Sequence, residues 1–283
     1  MIPDQTNHYK ASVIVSTYER PDALRAVLAG LANQTRTDFE VIVVDDGSGI
    51  PTKEAVEESR AFFGDRLVHA WQADEGFRLS TARNMGISQM RSPYAVFLDG
   101  DCVPRKYFIS GHLADSARGK IVRGSRVLLS QSCTENALAN GLPIHGWKGL
   151  ELFQKRLNLE INRVIPMMLP GKAIARDTKS ANWKAVRGCN FALWRSDLLA
   201  MGGFDESYVG WGYEDSDLAI RAIALGLHVR RARSLTCVFH LWHNEKPRTS
   251  TGANWDRLLQ VEREIRTFAL KTSLPSVTPK IQQ

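Results

Sequence analysis

Within its first hundred residues the chain alternates short β-branched runs with longer amphipathic ones, and this alternation restricts the possible folds more than any other feature. Apolar runs at 12–16, 40–44, 67–71 and 94–98 read as strands, and the stretches 21–34, 52–63 and 80–90 between them carry helical periodicity. Strand and helix in turn at this spacing form right-handed βαβ units, which build a mainly parallel sheet with helices on its faces. The expected class is α/β. In such sheets ligands sit beyond the carboxyl ends of the strands, so the strand-end loops are where function is sought.

Those loops read T-Y-E-R-P-D at 17–22, D-D-G-S at 45–48 and D-G-D at 99–101. The last follows the apolar run Y-A-V-F-L and sets Asp99 and Asp101 one residue apart around Gly100. Adjacent carboxylates repel unless a cation or a hydrogen-bonding ligand lies between them. A lone D-x-D after a strand is ordinarily a solvated turn. Three acidic or polar strand ends on one rim point instead to a bound cation or a sugar-like ligand.

The second half adds three groups. W-G-Y-E-D-S-D-L opens a predicted helix with Glu214, Asp215 and Asp217. Capping of the helix dipole explains one or two of these, Asp217 first, but not Trp211 between Gly210 and Gly212. Small residues around a large ring suggest a tight loop presenting a flat platform to a sugar or base. His240 and His243 end an expected strand at 235–241 as H-x-x-H, a spacing that with a D-x-D can complete a divalent metal site. Arg78, Arg83 and Asn84 stand just before or within the third helix, where an arginine reaches either phosphate or the acidic cluster.

Size allows one large domain or a domain with an appendage: 283 residues. We divide it into a catalytic domain at 1–249 and a helical tail at 250–283. Within the domain, 10–128 forms a nucleotide-binding half and 188–249 an acceptor half. The segment 130–187 between them, with one helix near 149–164, reads as an insertion or lid. A net charge of +7 suggests an anionic partner. No nucleic-acid recognition motif accompanies it, so nucleic acid is not expected. The basic amphipathic tail helix makes peripheral contact with an anionic membrane a separate possibility. No signal-type leader and no run of about 20 apolar residues is visible, which points to a cytoplasmic protein. The four cysteines lie apart with no C-x-x-C and are expected to be reduced.

In this order, V-I-V-S-T-Y-E-R-P, V-I-V-V-D-D-G-S, S-T-A-R-N-M-G-I, F-L-D-G-D and G-G-F-D-E followed by W-G-Y-E-D-S-D-L resemble the inverting GT-A glycosyltransferases of family 2. The second half is also similar to the C-terminal half of β-1,4-galactosyltransferases and of bacterial chondroitin-type polymerases. The likeness covers 12–128 and 188–243; the segment between is unmatched. It implies a GT-A nucleotide-diphospho-sugar transferase fold, a UDP-sugar donor, a glycan or lipid-linked glycan acceptor and Mn²⁺ or Mg²⁺. It also implies that Ser16, Tyr18, Arg20 and Asp46 hold the nucleoside, with Arg78 near the uracil or diphosphate and Asp99 and Gly100 near the ribose and sugar. Asp101 and His243 would ligate the metal, with His240 where the galactosyltransferases use methionine. Trp211 and Glu214 would meet the acceptor and Asp215 would be the general base.

Two other functions fit the sequence less well. A nucleotidyltransferase would place a Gly-rich phosphate loop after the first strand, which T-Y-E-R-P lacks. A non-catalytic sugar-nucleotide-binding subunit sits poorly with intact D-G-D and E-D motifs.

Overall fold

The computed structural model describes residues 9–164, 176–177, 182–244 and 251–275. β1 (Ala11–Thr17), β2 (Phe39–Asp45) and β4 (Tyr94–Asp99) are apolar and buried on both faces, which only a sheet covered on both sides can satisfy. With β3 (Leu67–Trp71) they form a parallel block in the order β3-β2-β1-β4. The sheet continues through β9 (Asn190–Trp194), β6 (Lys120–Arg123), β10 (His228–Arg231) and β8 (Arg176–Asp177), eight strands among the described residues, with β9 and β8 antiparallel to their neighbours.

Register aligns the functional edge. Ser16 of β1 stands opposite Asp99 of β4, and Thr17 opposite Asp45 of β2, so the strand-end loops leave the sheet at one level. α1 (Pro21–Ala32), α2 (Ile50–Phe63) and α4 (Phe108–Asp115) cover one face. α3 (Leu79–Ser88) and α8 (Glu214–Ala224) cover the other, around Phe97, Phe191 and Phe204. Prolines at the first turns of α1 and α2 are preset for helix and leave no N–H unsatisfied.

A second sheet of three strands, β5 (Cys102–Pro104), β11 (Val238–His240) and β7 (Arg126–Leu128), sits beside the D-G-D turn. Its register sets His240 opposite Cys102, next in sequence to Asp101.

Several elements differ from expectation. The helix expected at 149–164 is α6 (Gly149–Leu157), stopped by Asn158 and by Leu159 in a left-handed conformation at φ 59°. An unanticipated helix, α5 (Gln131–Ala139), begins where Ser130 Oγ accepts from Cys133 N. The strand expected at 235–241 is a 3-10 turn, Ser234–Thr236, followed by β11. Cys133, Ala137, Ile144, Trp147, Leu152 and Ile161, from the segment read as an insertion or lid, lie in the same core as β1. The rest of that segment, 165–175 and 178–181, lies outside the described residues.

The tail is also built in: α9 (Thr251–Glu264) sets Leu258 and Val261 against Ile220 of α8, and Leu274 enters the core behind it. No helix among the described residues is long and apolar enough to cross a membrane. The four cysteines are free thiols, all buried. α7 (Arg195–Ala200) follows β9 directly.

Gly86 lets α3 lie flat on the sheet, since a Cβ there would stand 2.7 Å from Val44 Cγ1 and 2.9 Å from Ile14 Cγ2. Gly86→Ala therefore overpacks the α3 interface. We expect a loss of about 1–3 kcal/mol in urea denaturation; an unchanged midpoint would show that the contact yields freely.

Candidate active site

The D-G-D turn is stitched to the end of β1. Gly100 N donates to Ser16 O at 2.7 Å, and a Cβ at Gly100 would meet that same oxygen at 2.7 Å, so only glycine allows this approach. The two carboxylates beside it then face different partners.

Asp99 meets Arg83, which α3 carries into the core with 1% of its surface exposed. The guanidinium donates to Asp99 Oδ1 at 3.1 Å, Glu214 Oε1 at 3.1 Å, Gly188 O at 3.2 Å and Ser16 Oγ at 3.3 Å. It also lies 5.1 Å from the ring centroid of Phe204. Asp215 closes on the same point: its Oδ2 accepts from Gly188 N at 2.6 Å and its Oδ1 from Ser216 N at 2.7 Å. A Cβ at Gly188 would lie 3.1 Å from Arg83 Nη2 and 3.2 Å from Asp215 Oδ2, so the bare backbone fits between them.

One cation thus pairs with two carboxylates, Asp99 and Glu214, and a third, Asp215, lies across Gly188 from it. Burial pushes Glu214 up to about 7, with Asp215 adding to it and Arg83 opposing. Burial likewise pushes Asp99 to about 6 against the pull of Arg83, while Asp101 and Asp215 raise it further. Solvent reaches the Asp99 side chain at 32% exposure but Glu214 at only 11%, so the proton is held more firmly on Glu214.

Asp101 faces the small sheet. His243 Nε2 lies 3.4 Å from its Oδ2 and His240 Nε2 lies 3.7 Å from its Oδ1. That Oδ1 is buried and has no hydrogen-bond partner among the described residues. An orphaned carboxylate oxygen facing an imidazole fits a divalent cation. Burial lowers the proton affinity of His240, against the pull of Asp101, which keeps a ring nitrogen free to ligate. The Cys102 thiol also lies in the cluster, its donor within 4.8 Å of those of Asp101 and His240. Burial and its neighbour Cys189 push that thiol far up, leaving an oxygen and nitrogen donor set suited to Mn²⁺ or Mg²⁺.

Asp46, Tyr18, Arg20 and Arg78 occupy the adjoining rim. Asp46 Oδ2 accepts from Arg78 N at 2.7 Å and its Oδ1 from Gln72 Nε2 at 2.5 Å, while burial raises its proton affinity. The Arg78 guanidinium pairs with Glu75 at 2.8 Å and donates to Ala73 O at 2.6 Å. Tyr18 donates to Asp74 at 3.1 Å, and Arg20 pairs with Asp22 at 3.1 Å. The rim joins the centre through Asp46 N, which donates to Thr17 O at 3.2 Å.

Trp211 is half-exposed in a loop with left-handed residues on both sides of it: Gly210 at φ 79°, Gly212 at 101° and Tyr213 at 76°. Gly210 N ties the loop to Phe77 O at 3.0 Å. Asn254 of α9, fully buried, donates to Val209 O and Gly212 O at 3.2 Å. Asp217, read as a cap, is instead buried in an ion pair with Arg221 at 2.6 Å. Sequence reasoning left Arg83 with two alternative partners and missed Gln72, Gly188 and Asn254 altogether.

Residues 12–181 match the family described as glycosyl transferase family 2, and residues 172–244 match one described as the N-terminal domain of galactosyltransferase. Validoxylamine A glucosyltransferase of Streptomyces hygroscopicus is 28% identical over 99% of this chain and 65% of its own length. Chondroitin synthase of Escherichia coli is 26% identical over 83% of this chain and 35% of its own length. Hyaluronan synthase of Pasteurella multocida is 26% identical over 97% and 29%. The chain therefore spans less than two thirds of these relatives.

Among solved structures, S. aureus TarS aligns with a TM-score of 0.64 at 17% identity, over 94% of this chain and 40% of that one. GalNAc-T7 with UDP, GalNAc and Mn²⁺ aligns at 0.62 and 16%, over 92% and 50%. The fold is the GT-A fold.

In the folded protein Glu214 keeps its proton to about 7, against an ordinary 4.5. The folded state thus binds more protons in that window, and its stability falls as pH rises across it. Glu214→Gln removes the titration. Urea denaturation of chelator-treated protein at about pH 5 and about pH 7.5 should show a smaller difference in the variant; an equal difference would place the proton elsewhere.

Proposed function

The chain belongs to glycosyl transferase family 2, and from that premise we propose that it moves a hexose or N-acetylhexosamine from a nucleotide diphosphate donor to a glycan acceptor. The donor is a UDP-sugar, and the product belongs to surface polysaccharide or lipopolysaccharide synthesis. The observation carrying this reading is the Arg83 bridge, which sets Asp99 at the end of β4 against Glu214 at the head of α8. Donor-side and acceptor-side carboxylates thereby share one site. Relatives named as a glucosyltransferase, a chondroitin synthase and a hyaluronan synthase support sugar transfer into a glycan. The GalNAc-T7 structure with UDP, GalNAc and Mn²⁺ supports that donor class and metal.

In this reading Asp46 accepts from the base, with Ser16, Tyr18 and Arg20 around the nucleoside and Arg78 beside the diphosphate. Asp99 and Gly100 border the ribose and sugar. Asp101, His243 and His240 hold the divalent ion, which when bound stabilises negative charge developing on the departing diphosphate. Trp211 offers its ring to the acceptor, and Glu214 orients the acceptor hydroxyl.

Asp215, aimed by the N–H groups of Gly188 and Ser216, takes the hydroxyl proton. The freed oxygen bonds the anomeric carbon on the face opposite the diphosphate as the bond to the diphosphate breaks. One displacement of this kind inverts the configuration.

The test is UDP release from a panel of UDP-sugars with saccharide acceptors. Chelation should abolish turnover and Mn²⁺ restore it. Asp215→Asn should lower kcat by about 10²–10⁴ while UDP still binds, and equal turnover would remove Asp215 as the base. Asp101→Ala should weaken Mn²⁺ binding by about tenfold or more in calorimetry. Sugar-nucleotide binding with no turnover for any acceptor would favour the non-catalytic subunit.

A further inference from the structure

α6 turns its apolar side outward. Leu150, Phe153 and Leu157 recur at helical spacing and are exposed to 70%, 49% and 66%, whereas Leu152 alone on the helix is buried. Leu159, just beyond, is 72% exposed. It holds a left-handed φ of 59°, a conformation in which a leucine is strained and asparagine or glycine is not. A soluble surface has no use for four large side chains presented this way.

The charge around them is positive. Residues 148–163 carry Lys148, Lys155, Arg156 and Arg163 against Glu151 and Glu160. Lys155 pairs with Glu160 at 2.9 Å, which leaves the exposed Lys148, Arg156 and Arg163 against the exposed Glu151, a surplus of two positive charges. An apolar stripe flanked by cations is the pattern of a helix lying in a lipid headgroup layer.

We propose that the outward face of α6, with Leu159, docks the protein onto an anionic lipid bilayer. The tail helix, the possible membrane contact read from sequence, instead packs its apolar residues Leu258 and Val261 on Ile220. The segment that follows α6 reaches the small sheet. Asn162 N and Oδ1 bond the backbone of Leu128, and Leu128 stands in register with His240. A docked bilayer would therefore lie beside the small sheet that carries the imidazoles. This inference does not depend on the sugar-transfer reading.

Cosedimentation of the full chain with vesicles of phosphatidylcholine and phosphatidylglycerol tests it. Wild-type protein should bind, more weakly as salt rises, and bind little to phosphatidylcholine alone. Combined Leu150→Ser, Phe153→Ser and Leu157→Ser should weaken binding by about tenfold or more. Leu159→Asn should weaken it severalfold while its thermal midpoint stays level or rises, an outcome a purely structural leucine would not give. No wild-type binding, or equal binding by both variants, would overturn the proposal. A dimer on gel filtration that the triple variant dissolves would assign this face to a second copy of the chain instead.

Discussion

The guanidinium of Arg83 is the contact on which the arrangement depends. It is buried, it reaches Asp99 and Glu214 at once, and it lies beside the carboxylate of Asp215 across the bare backbone of Gly188. Burying carboxylates without a partner is costly, and removing the single cation among several leaves their charges uncompensated. The protein meets this with one arginine and with proton retention on Glu214, the more enclosed of its two partners. Parallel-sheet strands and a helix far along the chain are thereby held to one geometry.

Gly100 splits the work of the D-G-D turn. With no Cβ it comes against Ser16 O, and the carboxylates on either side take separate directions. Asp99 turns to Arg83, and Asp101 to the imidazoles of the small sheet. The repulsion expected between adjacent acids is thus relieved on one side by a built-in cation. On the other side Asp101 Oδ1 has no hydrogen-bond partner among the described residues, which suits it to a divalent ion.

Much of the fold was legible because local pattern and global topology agree in the first hundred residues; the third strand has the expected bounds, Leu67–Trp71. The strand-end loops could be located from topology alone. Partner choice could not. Sequence leaves Arg83 open to either phosphate or the acidic cluster, since its two carboxylates become neighbours only through strand pairing and the placement of α8. Asp217 looked like a cap because its partner, Arg221, lies one turn away on a face that sequence does not show to be buried. Asn254 gave no signal because its three acceptors are backbone carbonyls in a distant loop. The tail helix carried an apolar stripe whose destination, Ile220 of α8, is likewise a tertiary fact.

A double-mutant cycle joining the two ends of the bridge tests this account most directly. Arg83→Met, Glu214→Gln and the double variant would be compared by urea denaturation. The bridge predicts a coupling of about 1–3 kcal/mol between the two positions. Effects that add to within about 0.5 kcal/mol would contradict it, and with it the claim that one buried cation joins the two halves of the site.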